Sequence, residues 1–177
     1  IRIGKSQREV LKTLSRKFAS IMDNDVPDAE PGLICYDSYW KDMLSNVDLK
    51  ADPDVSKVSD IAALIDQKIE DNFTRGLAPK KKLAHRIVAA ASIKMLQADL
   101  SHANGVTADS LANDLCHIDI TCENYDELVD LAFTRVLDSI VSATIGQYFE
   151  KGENEYHLRI EGGVNYEQKV KDYTLQM

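Results

Sequence analysis

The chain has 177 residues, 44% of them hydrophobic, and a formal net charge of −8. That length holds one sizeable core or two small ones, and the apolar fraction excludes wholesale disorder. An acidic total with a pI near 5.0 disfavours general affinity for nucleic acid, and no run approaches the roughly 18 apolar residues of a membrane span.

Charge falls in blocks, basic over residues 1–19 and 73–100 and acidic over 20–72 and 101–140, a pattern that suits segments facing one another. Three cysteines, Cys35, Cys116 and Cys122, make no C-x-x-C pair. An odd count without a signal peptide points to reduced thiols in a cytoplasmic protein. The chain opens at Ile1 in residues that already look like the approach to a helix, so it reads as a piece of something longer.

Ser6 is placed to cap a helix running to about Met22, with Val10, Leu11, Leu14, Phe18, Ile21 and Met22 on one side and Arg8, Lys12, Arg16 and Lys17 away from it. Two prolines and a glycine then make residues 23–32 a loop. Leu33 to Tyr36 reads as a short extended segment, and Asp37 has N-cap chemistry for a helix bearing Tyr39, Trp40, Met43, Leu44 and Val47, with the tryptophan as a core anchor. Ala51-Asp-Pro-Asp54 breaks the chain. Ser59 opens the next helix, whose stripe is Ile61, Leu64, Ile65, Ile69 and Phe73, and Arg75-Gly76 is its exit.

Leu77 to Lys82 is the natural boundary between a helical subdomain, residues 1–78, and a second unit, residues 79–162, with 163–177 as a tail or final helix. Ala84 to Leu100 has strong helix formers, no Gly or Pro, and apolar residues over more than half its circumference, which predicts the central buried helix. Asn104-Gly105 turns the chain. Thr107 then caps a short helix with Asp109 in its first turn and Leu111, Ala112 and Leu115 on its apolar side. Thr121 or Asn124 caps a long helix from Tyr125 to Ile145, where two apolar lines predict two packing partners. Gly146 stops it, and alternating residues on either side of Lys151 to Asn154 predict a β-hairpin. The fold class expected is mainly α: a helical subdomain followed by a winged-helix-like unit with one small β-hairpin.

Catalytic readings find little support. Gly4-Lys5-Ser6 matches the end of a Walker A loop but lacks its initial glycine, and no strand ending in Asp follows to hold Mg²⁺. His117 lies near Cys116 and Cys122, yet a zinc site needs a fourth ligand and adjacent residues rarely both reach one ion. No serine sits in a G-x-S-x-G context, so no catalytic, cofactor-binding or metal set is expected within this chain. As a recognition helix, Tyr125 to Ile145 would present Asp126, Glu127, Asp130 and Asp138 against Arg135, and the hairpin turn adds three glutamates against Lys151. Both would repel phosphates. What remains for DNA is a non-specific contact through Arg75, Lys80, Lys81, Lys82 and Arg86.

Three stretches, Pro31-Gly-Leu-Ile-Cys-Tyr-Asp37, Ala84-His-Arg-Ile-Val-Ala-Ala-Ala91, and Gly146-Gln-Tyr-Phe149 leading through Tyr156-His-Leu-Arg-Ile160 to Val164-Asn-Tyr-Glu167, make the chain resemble large bacterial ATP-binding proteins of the AAA+-like, phage-exclusion (BREX-type) defence class. The resemblance implies a lid-like first part and a winged-helix module, with the ATP and Mg²⁺ site upstream in the parent protein. It also implies that the partners are other domains or subunits of that parent and that Arg86 could approach a neighbouring nucleotide, while the lack of a long apolar run predicts no membrane partner.

Overall fold

A computed structural model describes residues 7–23, 34–97, 105–115 and 125–160. The side chains at positions 21, 23 and 125–131 lie outside that description. The helices are α1 (Gln7–Asp23), α2 (Tyr36–Ser45), α3 (Val47–Lys50), α4 (Pro53–Asn72), α5 (Lys81–Gln97), α6 (Ala108–Asp114) and α7 (Tyr125–Thr144). A 3₁₀ segment, Arg75–Lys80, joins α4 to α5, and an antiparallel hairpin, β1 (Phe149–Lys151) and β2 (Tyr156–Leu158), follows α7. The chain is thus mainly helical with one small hairpin.

The core is built around α5. Ala84, Ile87, Val88, Ala89, Ala90, Ala91, Ser92, Ile93, Met95 and Leu96 are all buried, covering nearly every direction around the axis. Four alanines let neighbouring backbones come close, and α2, α4, α6, α7 and β2 all lie against this helix. The one polar group among these residues, the Ser92 hydroxyl, donates to the Val88 carbonyl at 2.8 Å, so its burial leaves no unmade hydrogen bond. A single apolar cluster runs from Tyr39 and Trp40 to Tyr156 and Leu158, continuous across residue 78, where a subdomain boundary was expected.

Two helix starts differ from the sequence expectation. Cys35, not Asp37, occupies the N-cap of α2. Ser38 instead turns its hydroxyl back to the Cys35 carbonyl at 3.0 Å, and Asp37, in the first turn, is drawn to Arg86 by a 2.8 Å ion pair. For α4 the start is Pro53, six residues before Ser59, because Asp52 caps it by accepting from the Asp54 amide at 3.1 Å. Proline at the first helical position lacks only an N–H that would be unpaired anyway. Leu64, expected in the α4 stripe, is 41% exposed, while Val55 and Val58 extend the buried face toward the N-terminus. The expected turn at Asn104, the caps at Thr121 and Asn124, and the segments 1–6, 24–33 and 161–177 lie outside the described residues.

The last part of the chain follows its expected order closely. Thr107 caps α6 by accepting from the Ser110 amide at 3.0 Å while Ser110 returns the bond to the Thr107 amide at 3.1 Å, a reciprocal capping box. In the hairpin Phe149 pairs with Leu158 and Lys151 with Tyr156. Val106 adds a third, one-residue rung, exchanging backbone bonds with Tyr156 at 2.8 and 2.9 Å.

α7 ends in a Schellman-type turn: the Gly146 amide donates to the Val141 carbonyl at 3.0 Å and the Ile145 amide to the Ser142 carbonyl at 3.2 Å. This sets Ile145 at φ 53° and Gly146 at φ 64°. A β-branched side chain is strained there, and Ile145, expected on the buried face, is instead 41% exposed.

Three substitutions test this frame by urea denaturation. Ile87→Ala should lower the unfolding free energy by about 2–5 kcal/mol, whereas Leu11→Ala, at a residue 66% exposed, should change it by less than about 0.5 kcal/mol. Ile145→Gly should raise it by about 1 kcal/mol, because glycine enters positive φ without strain. A loss in the third variant would contradict the strained turn.

Candidate functional site

The surface chemistry gathers where other elements meet α5 and where the hairpin meets α7. Between α4 and α5, Asp66 and Glu70 stand one turn apart and face Lys81 and His85, also one turn apart. His85 Nδ1 lies 2.6 Å from Asp66 Oδ1, its Nε2 lies 2.8 Å from Glu70 Oε1, and Lys81 Nζ lies 2.8 Å from Glu70 Oε2. A doubly protonated ring satisfies both carboxylates at once. Burial alone would pull the His85 pKa down, but the hydrogen bonds and charges of Asp66 and Glu70 outweigh it and hold it above its usual value. For Asp66 burial dominates and raises the carboxyl against the pull of His85, whereas Lys81 and His85 lower that of Glu70. In its protonated form His85 donates from both ring nitrogens to carboxylates of α4. The cluster is an ionic clamp between two helices.

A second cross-tie joins α2, α5 and the end of α6. Arg86 donates from Nε to Asp37 Oδ2 at 2.8 Å and from its terminal nitrogen to the Leu115 carbonyl at 2.7 Å. Nearby, Gln97 donates to the Tyr36 hydroxyl at 2.8 Å, and Lys94 sits 5.5 Å above the Tyr36 ring. Lys94 Nζ is also 3.1 Å from Asp114 Oδ2. That contact is a charge attraction without hydrogen-bond alignment, since the same buried oxygen has no hydrogen-bond partner.

Asp138 and Thr144 of α7 tie the hairpin down, the Thr144 hydroxyl donating to the Phe149 carbonyl at 3.4 Å. Tyr156 donates its hydroxyl to Asp138 Oδ1 at 2.7 Å, and Lys151 Nζ reaches the same oxygen at 2.9 Å while lying 5.3 Å from the Tyr156 ring. The hydrogen bond to Asp138 is the largest influence holding the Lys151 pKa above its usual value. Arg159 pairs with Glu150 at 3.2 Å.

The five basic residues singled out from sequence are therefore divided. Lys81 and Arg86 are held by Glu70 and Asp37, while Arg75, Lys80 and Lys82 stand at the surface along the 3₁₀ segment and the start of α5. Arg75 has φ 49° and follows Asn72 and Phe73, which with Leu77 line one side of an open groove. Asp138, Ser139, Ser142 and Ala143 of α7 line the other, and the groove measures about 400 Å³.

Sequence reading missed the His85 clamp. Its signal was present, two acidic and two basic positions each spaced i, i+4 on consecutive helices. The Arg86 to Asp37 pair spans 49 residues and leaves no local signal. Among the described residues no group of three or more His, Cys, Asp or Glu is placed to hold a metal ion, and no helix is long and apolar enough to cross a membrane. Gly4-Lys5-Ser6, Cys116, His117 and Cys122, and the side chains of Asp126, Glu127 and Asp130, lie outside the described residues.

The profile of the family described as DUF6079 second domain matches residues 1–164. No curated protein and no solved structure matches the chain.

The clamp sets a pH dependence. Because the folded state raises the His85 pKa, its contribution to stability is complete below the unfolded value of about 6.5 and is lost as pH rises through the higher folded value. The difference in thermal midpoint between the native chain and His85→Gln should therefore shrink from about pH 6 to pH 9. A gap that stays constant over that interval would remove the charged histidine from the account.

Proposed function

Since the chain belongs to the DUF6079 second-domain family, we propose that it is a non-catalytic helical and winged-helix region of a larger cytoplasmic P-loop ATPase, working through contacts with neighbouring domains or subunits. The family's description as a second domain supports a place beside other domains. The order α5, Val106 rung, α6, α7, β1 and β2 matches the helix, strand, helix, helix and two-strand wing order of a winged helix. The resemblance to AAA+-like phage-exclusion proteins supplies the ATP-binding parent.

The observation that carries the reading is electrostatic. In the α5 to β2 unit, Lys81, Arg86, Lys94, Lys151 and Arg159 are each held against a carboxylate, on Glu70, Asp37, Asp114, Asp138 and Glu150 respectively. A surface that grips a polyanion presents its cations to phosphate, and here these five are already neutralised. Proteins, whose interfaces combine apolar area with selected charges, are the partners such a surface suits.

The second reading, non-specific DNA contact through Arg75, Lys80 and Lys82 with Lys81 and Arg86 behind them, is favoured by the exposure of the first and third of these residues. A fluorescence titration of the chain with duplex DNA at 50 mM and 200 mM salt separates the two. The expected result is no sub-micromolar binding at either salt, and no ATP turnover by the chain alone. Tight binding that weakens steeply with salt and is lost in Arg75→Glu/Lys80→Glu/Lys82→Glu would establish the DNA reading instead.

A further inference from the structure

α1 is rotated against its own amphipathic pattern. It sets Thr13 inward at 5% exposure while Leu11, Phe18 and Met22 stand 66%, 58% and 80% exposed. Val10 and Leu14 pack partly buried against the core, and polar contacts join them in setting that rotation. The Tyr39 hydroxyl donates to the Val10 carbonyl at 3.3 Å, Asn46 donates to the Thr13 hydroxyl at 3.2 Å, and Lys17 pairs with Asp42 at 3.3 Å. Burial, with a smaller push from Asp42, moves the Tyr39 pKa up to about 12, so its hydroxyl keeps the proton that the first bond needs.

At about 100° per residue, Leu11, Phe18 and Met22 fall within an arc of roughly 40°. Arg8, Lys12 and Arg16 occupy the next arc outward, and all three are exposed. Lys12 reaches back to Glu9, while no ion pair among the described residues engages Arg8 or Arg16. The helix therefore shows an apolar stripe with a cationic border on the side away from its own core.

We propose that this outward face of α1 is the docking surface for the domain that precedes this one in the full-length protein, which meets it with an apolar patch bordered by carboxylates. The inference rests on the reading that this domain works through neighbouring domains. The family's description as a second domain calls for another before it, and α1 is the first described helix, nearest along the chain to that neighbour. The arginines choose the chemistry, since an acidic border completes them, whereas a second copy would bring the same cations to the same border.

The test uses the full-length protein with p-benzoylphenylalanine in place of Phe18, and in a control in place of Val47, an α3 residue 81% exposed. Irradiation should join Phe18, and not Val47, to a segment of the preceding domain in which Asp or Glu flanks apolar residues. Arg8→Glu with Arg16→Glu should lower that yield at least tenfold, as should Leu11→Asp, without moving the melting temperature of the chain alone. A Phe18 cross-link confined to this chain, to a second copy or to lipid, an equal yield at Val47, or a yield indifferent to charge reversal would overturn the proposal. The two levels separate cleanly. DNA binding with the Phe18 cross-link intact would sink the functional reading and leave this surface standing, and absence of both would sink this surface alone.

Discussion

Burial of α5 on every side is the constraint from which the rest of the structure follows. A helix that presents Ile87, Val88, Ala91, Ile93 and Leu96 in different directions needs neighbours all round it, and α2, α4, α6, α7 and β2 supply them. Its exposed ends must then carry the charges, so Lys81, His85 and Arg86 sit at the first turns and Lys94 near the last. Lys81 and His85 answer carboxylates on α4, Arg86 one on α2 and Lys94 one on α6. The polar seams are thus a by-product of the apolar packing. They orient the elements while burial supplies most of the stabilisation.

The same arrangement divides the cations of the described residues into paired and unpaired sets. Lys81, Arg86 and Lys94 of α5 and Lys151 and Arg159 of the hairpin region each face a carboxylate, while Arg75, Lys80 and Lys82 of the same basic stretch stand at the surface. α1 is the contrary case. It is attached by Val10 and Leu14 against the core and by a hydroxyl, an amide and an ammonium group to α2 and the start of α3, and it leaves Leu11, Phe18 and Met22 facing out. That outward apolar stripe is the feature on which the proposed docking surface rests.

Much of the fold was legible from periodicity and capping chemistry. Apolar residues over more than half the circumference of Ala84 to Leu100, with strong helix formers and no Gly or Pro, predicted the central buried helix, which the structure shows over Lys81–Gln97. Thr107 and the alternation around Lys151 to Asn154 placed α6 and the hairpin. The errors arose where two local signals competed. Asp37 and Ser59 both carry cap chemistry, but Arg86 took the first from 49 residues away, and Asp52 with Pro53 started α4 earlier. Ile145 continued an apolar line that the backbone had already left at Thr144. The clamp at His85 required knowing that α4 and α5 lie side by side. For α1, the hydrophobic pattern was read correctly as amphipathic, but its direction depends on Tyr39, Asn46 and Asp42, which periodicity does not reveal.

Amide hydrogen exchange, compared between this chain alone and the full-length protein, tests the whole arrangement most directly. Amides of α5 from Ile87 to Leu96 should exchange only through global unfolding in both, while those of α1 should exchange by local opening in the isolated chain and become protected in the full-length protein. Equal protection of α1 in the two, or earlier opening of α5 than of α1, would contradict a domain organised around one enclosed helix and completed by its neighbour at another.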